Sequence, residues 1–148
     1  MKRTISKKEK QELSASINTV VIGDKETVQY DDKKGIYYID GEPFMALTGD
    51  DIIPLLRYKQ HDYTRMPSII VDMPAVPHII NGANLLRPGI TAMEEYDQGS
   101  IIIVRDENNK VPIAVMKSLY DSTTIMSMDK GKVALSLHHV NDRLWKEQ

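Results

Sequence analysis

Arg87, Lys130, Lys132 and Arg143 are the side chains of this sequence best suited to engaging a ligand, and the chemistry they suit is the holding of an anion. A guanidinium can fork onto a phosphate or stack on a base, and a lysine supplies a compact charge. Arg87 stands in the stretch 81–90, "NGANLLRPGI", which mixes two glycines, a proline, a leucine pair and one cation. Gly82 and Ala83 there follow a helical pattern, so their backbone N–H groups lack side-chain cover and a sugar-phosphate chain could approach them closely. Asn84 adds an amide that both donates and accepts. If Leu85 and Leu86 lie on a strand they point to opposite faces, one into a core and the other outward as an apolar platform. Pro88 and Gly89 occupy the central positions of a type II turn. Near the end of the chain, Lys130, Lys132, His138, His139 and Arg143 are expected around one edge. The same features also read as a plain helix-to-strand connection and an ordinary solvated turn at 130–132.

Other chemistries find less support. The chain has no cysteine, so it has neither a disulfide framework nor a thiolate metal site. His138 and His139 are neighbours on a predicted strand and point apart, while His61 and His78 show no ligand spacing to them, so no metal site is expected. The carboxylate pairs Asp31-Asp32, Asp50-Asp51 and Glu94-Glu95 fall in turns or caps, and Asp72 reads as a helix cap rather than a general base. No nucleophile elbow, P-loop or dinucleotide fingerprint occurs. We expect no catalytic residue, no metal and no cofactor.

Composition sets the frame for these residues. With 148 residues, 41% hydrophobic and 27% charged, the chain has a globular profile and room for one ordinary domain or two small ones. The net charge of −2 argues against generic phosphate attraction but permits a local basic surface. Lys2, Arg3, Lys7, Lys8 and Lys10 crowd the first turns against Glu9 and Glu12, the pattern of a solvated helix face. The apolar runs are too short to span a bilayer and the charged start has no apolar h-region behind it, so a cytoplasmic location without a membrane partner is expected.

The positioning elements follow from period and punctuation. Residues 6–16 form a helix, with Ser6 and Glu9 at capping-box spacing. Residues 19–22, 27–30, 36–39 and 44–47 read as short strands separated by turn compositions. At 48–58 the period changes: Thr48 or Asp50 could cap a helix whose apolar stripe is Ile52, Ile53, Leu55 and Leu56, with Pro54 in its first turn. A boundary is expected near Pro67. Beyond it come a strand at 68–71 and a short, partly 3₁₀ helix at 73–80 capped by Asp72 and closed by Gly82. Met73, Val76, Ile79 and Ile80 form its inner face. Two strands joined by "RDENNK" follow, then a strand over "GKVALSL" with Val133, Leu135 and Leu137 inward. Trp145 is expected to plug the barrel end.

The order Val71-Asp72, helix, "NGANLLRPGI", "KGKVA" and "HHVNDRLW" resembles the PUA domain, an RNA-binding module, over roughly residues 68–145. The whole chain is similar to small pre-PUA plus PUA proteins, archaeal relatives of the malignant-T-cell-amplified and ligatin-type translation factors. It shares with them a strand-rich first half, a "PLLRY" helix and the "MPSIIVDMPAVPHIINGANLLRPGI" junction. It departs in having Gly82-Ala83 where many PUA domains have Gly-Gly, and Gly99-Ser100 where many have Gly-Asp.

The resemblance implies an α+β fold, with a small pre-PUA domain at 1–67 packed on a PUA pseudo-β-barrel with one short helix at 68–148. It implies non-catalytic binding of structured RNA, tRNA or rRNA, in translation initiation or recycling, through Gly82, Ala83, Asn84, Leu85, Arg87, Pro88, Gly89, Lys130, Lys132, His138 and Arg143. The ribosomal small subunit and a protein partner would engage residues 1–67. An alternative role is a protein-interaction or accessory module that delivers RNA to a modification enzyme.

Overall fold

The computed structural model describes residues 1–147, and these fall into two compact units, Met1–Arg65 joined by Glu147, and Met66–Lys146. In the first unit, strand β1 (Lys2–Thr4) precedes helix α1 (Lys7–Ser16), and strands β2 (Val28–Asp31), β3 (Ile36–Ile39), β4 (Glu42–Thr48) and β5 (Asp51–Pro54) follow. The expected capping box opens α1: Ser6 Oγ accepts the Glu9 N–H at 3.1 Å and Glu9 reaches back to the Ser6 N–H. The strands form an antiparallel meander in chain order. Asp40 and Gly41, both at positive φ, make the two-residue turn between β3 and β4, a geometry that suits the twist of a hairpin.

Two expectations for this unit are corrected. Residues 51–54 form a strand rather than a helix, because Ile52 and Ile53 pair with Leu47 and Ala46 of β4. Residues 19–22 form no strand; Thr19 is buried and instead accepts the Asp62 N–H on its carbonyl at 2.6 Å. The basic first turns are also partly strand. Lys2 lies 3.8 Å above the Tyr38 ring and Arg3 pairs with Glu9 at 3.0 Å, so both cations already have partners.

In the second unit, strand β6 (Ser68–Val71) runs into a 3₁₀ turn (Met73–Ala75) and helix α2 (Val76–Ile80). Strand β7 (Leu85–Leu86), a second 3₁₀ turn (Arg87–Gly89) and strand β8 (Ile90–Met93) follow. Strands β9 (Ile101–Asp106) and β10 (Pro112–Ser118), helix α3 (Ser122–Met126), strand β11 (Lys132–His139) and helix α4 (Arg143–Lys146) complete it. The expected short helix is thus accompanied by two more, α3 and α4. Asp72 and Asp121 cap their turns alike, each carboxylate accepting the N–H three residues on.

The sheet order is β7-β11-β10-β9-β6-β8, antiparallel except for β6 against β9. Its two outermost strands, β7 and β8, are joined by only the three residues of the second 3₁₀ turn. Five flat inter-strand spacings would part them by about 24 Å, whereas so short a connection reaches at most about 14 Å. The sheet therefore has to curl into a half-barrel. Ile69, Val104, Met116, Ile125, Val133 and Leu85 fill its interior, with Ile79 from α2 as a cover. Met73, expected on the inner face of that helix, is 36% exposed. Trp145, expected to plug the barrel end, is only half-buried, whereas its neighbour Leu144 is buried.

Candidate nucleic-acid interface

The stretch 81–90 begins where α2 ends. Gly82, at φ +96°, closes the helix: its N–H donates to the Ile79 carbonyl at 3.0 Å and the Ala83 N–H to the His78 carbonyl at 3.0 Å. This is a Schellman motif, which the positive φ of a glycine makes cheap. The turn is exposed, as expected. Its two amides are not free, however, and the expectation of uncovered N–H donors at Gly82 and Ala83 is corrected: the helix end consumes them.

Asn84 comes next and is held in place by the sheet, its Oδ1 accepting the Ser136 N–H at 2.8 Å. Of the leucine pair, Leu85 is 1% exposed and belongs to the core, while Leu86 is 56% exposed and faces outward. Leu85 is therefore withdrawn as a candidate, and Leu86, left out of the candidate set, is the member of the pair that is open to a ligand. Leucine parity is undecidable until β7 has a partner; pairing of Leu85 with Ala134 and Leu86 with Lys132 decides it.

Arg87-Pro88-Gly89 is a 3₁₀ turn rather than a type II turn. Gly89 does not adopt positive φ; it is small because a Cβ there would meet the Ala75 Cβ at 3.1 Å. The Arg87 N–H donates to the Gly131 carbonyl at 2.9 Å and its Nε to the Ile125 carbonyl at 2.8 Å. The side chain is thereby tied to α3 while the backbone lies next to Gly131, between Lys130 and Lys132, and its two terminal amino groups have no hydrogen-bond partner among the described residues. Lys130 and Lys132 are both exposed. Between the first 3₁₀ turn with α2 and this second turn lies a mainly apolar cavity of about 450 Å³, whose walls include Asp72, Ala75, His78, Asn84, Leu86 and Pro88.

The predicted edge of cations divides in two. Lys132 opens β11 and His139 ends it, so Arg143, just beyond that end, sits about 20 Å along the strand from Lys132. Arg87, Lys130 and Lys132 come together; Arg143, though exposed, lies at the opposite end of β11. His138 is corrected outright: it is fully buried and its Nδ1 lies 3.0 Å from both oxygens of Asp142. Burial raises the Asp142 pKa, but the His138 contact and the N–H groups of Trp145 and His139 outweigh it and hold the carboxyl below its usual range. His139, omitted from the candidate set, lies against the Gly82–Ala83 turn: its Nε2 is 3.4 Å from the point a Cβ on Gly82 would occupy.

The candidate interface is thus a strip along β7 and β11. The Gly82–Ala83 turn and His139 mark one end, Asn84 and Leu86 the middle with the cavity beside them, and Arg87, Lys130 and Lys132 the other end. Among the described residues no group of three or more His, Cys, Asp or Glu is placed to hold a metal, and no helix is long and apolar enough to cross a membrane.

Comparison with known proteins places this geometry. The sequence profile of the PUA domain matches residues 67–140, and that of a domain of unknown function (DUF1947) matches residues 2–60. An uncharacterized protein of Methanocaldococcus jannaschii is 34% identical over 111 residues, 74% of this chain and 68% of that protein. Translation machinery-associated protein 20 of Saccharomyces cerevisiae is 28% identical over 127 residues, 81% of this chain and 70% of that protein. The crystal structure of a hypothetical protein from Pyrococcus horikoshii superposes with a TM-score of 0.85 at 26% identity, covering 99% of both chains. The half-barrel, the motif order along its candidate strip and these matches agree: the chain belongs to the PUA domain family.

Proposed function

We propose that the protein binds structured RNA without catalysing a reaction on it, and that it does so at the ribosome during translation. The observation that carries this reading is the strip along β7 and β11, where Arg87, Lys130 and Lys132 cluster at one end of an exposed, partly apolar surface. Cations that grip phosphates beside an apolar platform on which bases can stack are the two elements of recognising unpaired nucleotides. Translation as the setting is supported by the relative from Saccharomyces cerevisiae, which is named as translation machinery-associated. Transfer RNA and ribosomal RNA are the structured RNAs of that setting. The first unit, with Lys7 and Lys8 exposed on α1, would supply contacts to the ribosomal small subunit or a protein partner.

Filter binding of unfractionated tRNA at rising salt tests the reading. Three phosphate contacts predict that log affinity falls against log salt with a slope of about −2 to −3. Arg87→Ala and Lys132→Ala should each weaken binding and reduce the slope by about one. No retention of tRNA at any salt, or retention unchanged in both variants, would overturn it.

A further inference from the structure

The turn end of the strip is built differently from the cation end. At Gly82 and Ala83 the backbone N–H groups are spent on the carbonyls of Ile79 and His78, so the turn offers an anion no amide donor. His139 lies against it, and the tautomer of its neutral ring can be read from its partner. Nδ1 stands 2.8 Å from the Val140 carbonyl oxygen, which only accepts, so Nδ1 carries a hydrogen and in the neutral ring the lone pair is on Nε2. Nε2 lies 3.4 Å from the position of a Gly82 Cβ and has no hydrogen-bond partner among the described residues. Asn84 supplies the complement. Because its Oδ1 accepts the Ser136 N–H, its Nδ2 remains as a pair of donors on the wall of the cavity.

An acceptor nitrogen and an amide donor beside a turn without free N–H groups suit a phosphate poorly, since a phosphate oxygen only accepts. They suit a hydroxyl, which donates and accepts at once. We propose that His139, with Asn84, reads a ribose 2′-hydroxyl at the Gly82–Ala83 turn, and so makes this end of the strip selective for RNA over nucleic acids that lack the hydroxyl. The assignment rests on the RNA-binding reading above and divides its labour: Arg87, Lys130 and Lys132 hold phosphates, whereas His139 recognises the sugar.

The test compares a fluorescently labelled stem–loop RNA bearing an unpaired 3′ tail with the same molecule carrying 2′-fluoro groups in the tail. Fluorine preserves the sugar pucker of RNA and removes the donated hydrogen. By fluorescence anisotropy the wild-type protein should prefer the hydroxyl form about five-fold, the value of one hydrogen bond. His139→Leu should bring the ratio to about one. His139→Gln, whose side-chain oxygen can accept, should recover part of the preference. A wild-type ratio of one, or a wild-type-like ratio in His139→Leu, would overturn the inference while leaving RNA binding standing. Failure of the wild-type protein to bind either probe would instead remove the RNA reading itself, and the inference with it. Thermal melts of both variants, followed by circular dichroism, establish that a changed ratio comes from a folded protein.

Discussion

Arg87 serves the fold and, in the proposed interface, the ligand as well. Its Nε bond to the Ile125 carbonyl ties the second 3₁₀ turn to α3, while its backbone N–H, bonded to the Gly131 carbonyl, sets it next to the Lys130–Lys132 segment. Arg87→Lys keeps the charge but loses the planar fork, so it should weaken tRNA binding without lowering the salt slope, and it should cost about 1 kcal/mol in urea unfolding. Asp142 is the second residue with an outsized role. It accepts from the buried His138 ring and from the N–H groups of His139 and Trp145 at 2.9 and 2.8 Å, so it locks the end of β11 to the start of α4. Asp142→Ala should cost about 3 kcal/mol, because it leaves buried donors unpaired. Its folded-state pKa is depressed, so its contribution is complete above the usual carboxylate range and drains as pH falls through the lower folded value. Urea unfolding of the wild type and this variant at several pH values measures both effects: the gap between them should close in acid.

At the scale of elements, local signals were legible and long-range choices were not. The Ser6 and Glu9 capping box, the Asp72 cap, the Gly82 helix stop and the Asp40-Gly41 hairpin are each settled by residues within a few positions of one another. Residues 51–54 satisfy helical and extended patterns alike, and only pairing with β4 decides between them. The alternation expected over 131–137 fails for a related reason. Irregularities between Lys132 and Ala134, and between Val115 and Met116 of β10, shift the register. Val133 and Ala134 are then both buried, Leu135 and Leu137 are half-buried, and His138 enters the core where a surface ligand was expected. The Gly82 turn gives a direct check: Gly82→Ala forces an L side chain to φ +96° against the His139 ring, and should lower stability by about 1 kcal/mol in thermal or urea unfolding. In the first unit the loop at 55–65 is anchored by His61, whose Nε2 donates to the Phe44 carbonyl at 2.7 Å and whose Nδ1 takes the Thr19 hydroxyl hydrogen at 2.7 Å. Burial lowers its pKa to about 4 from an ordinary 6.5. The neutral ring is favoured by the fold, so this stability is present above pH 6.5 and is lost as pH falls from there to about 4, by roughly 3 kcal/mol in total. His61→Gln should flatten the stability–pH curve between those values.

At the scale of the whole molecule, the curl of a six-stranded sheet does the positioning. A three-residue connection between the two outermost strands pulls the sheet round, and that same connection carries Arg87, so closing the half-barrel and placing the guanidinium are one event. The motif order that signals the PUA family could be read in the sequence because each motif is contiguous. The layout of the strip could not, because Lys132 and Arg143 are close in number yet lie at opposite ends of β11. The claim on which everything else depends is that RNA lies along β7 and β11. Amide hydrogen exchange with and without bound tRNA reads this directly, peptide by peptide. The account predicts slowed exchange concentrated in residues 72–89 and 128–139, weaker when Arg87 and Lys132 are both alanine. Slowed exchange confined to residues 1–65, with the strip unchanged, would contradict it.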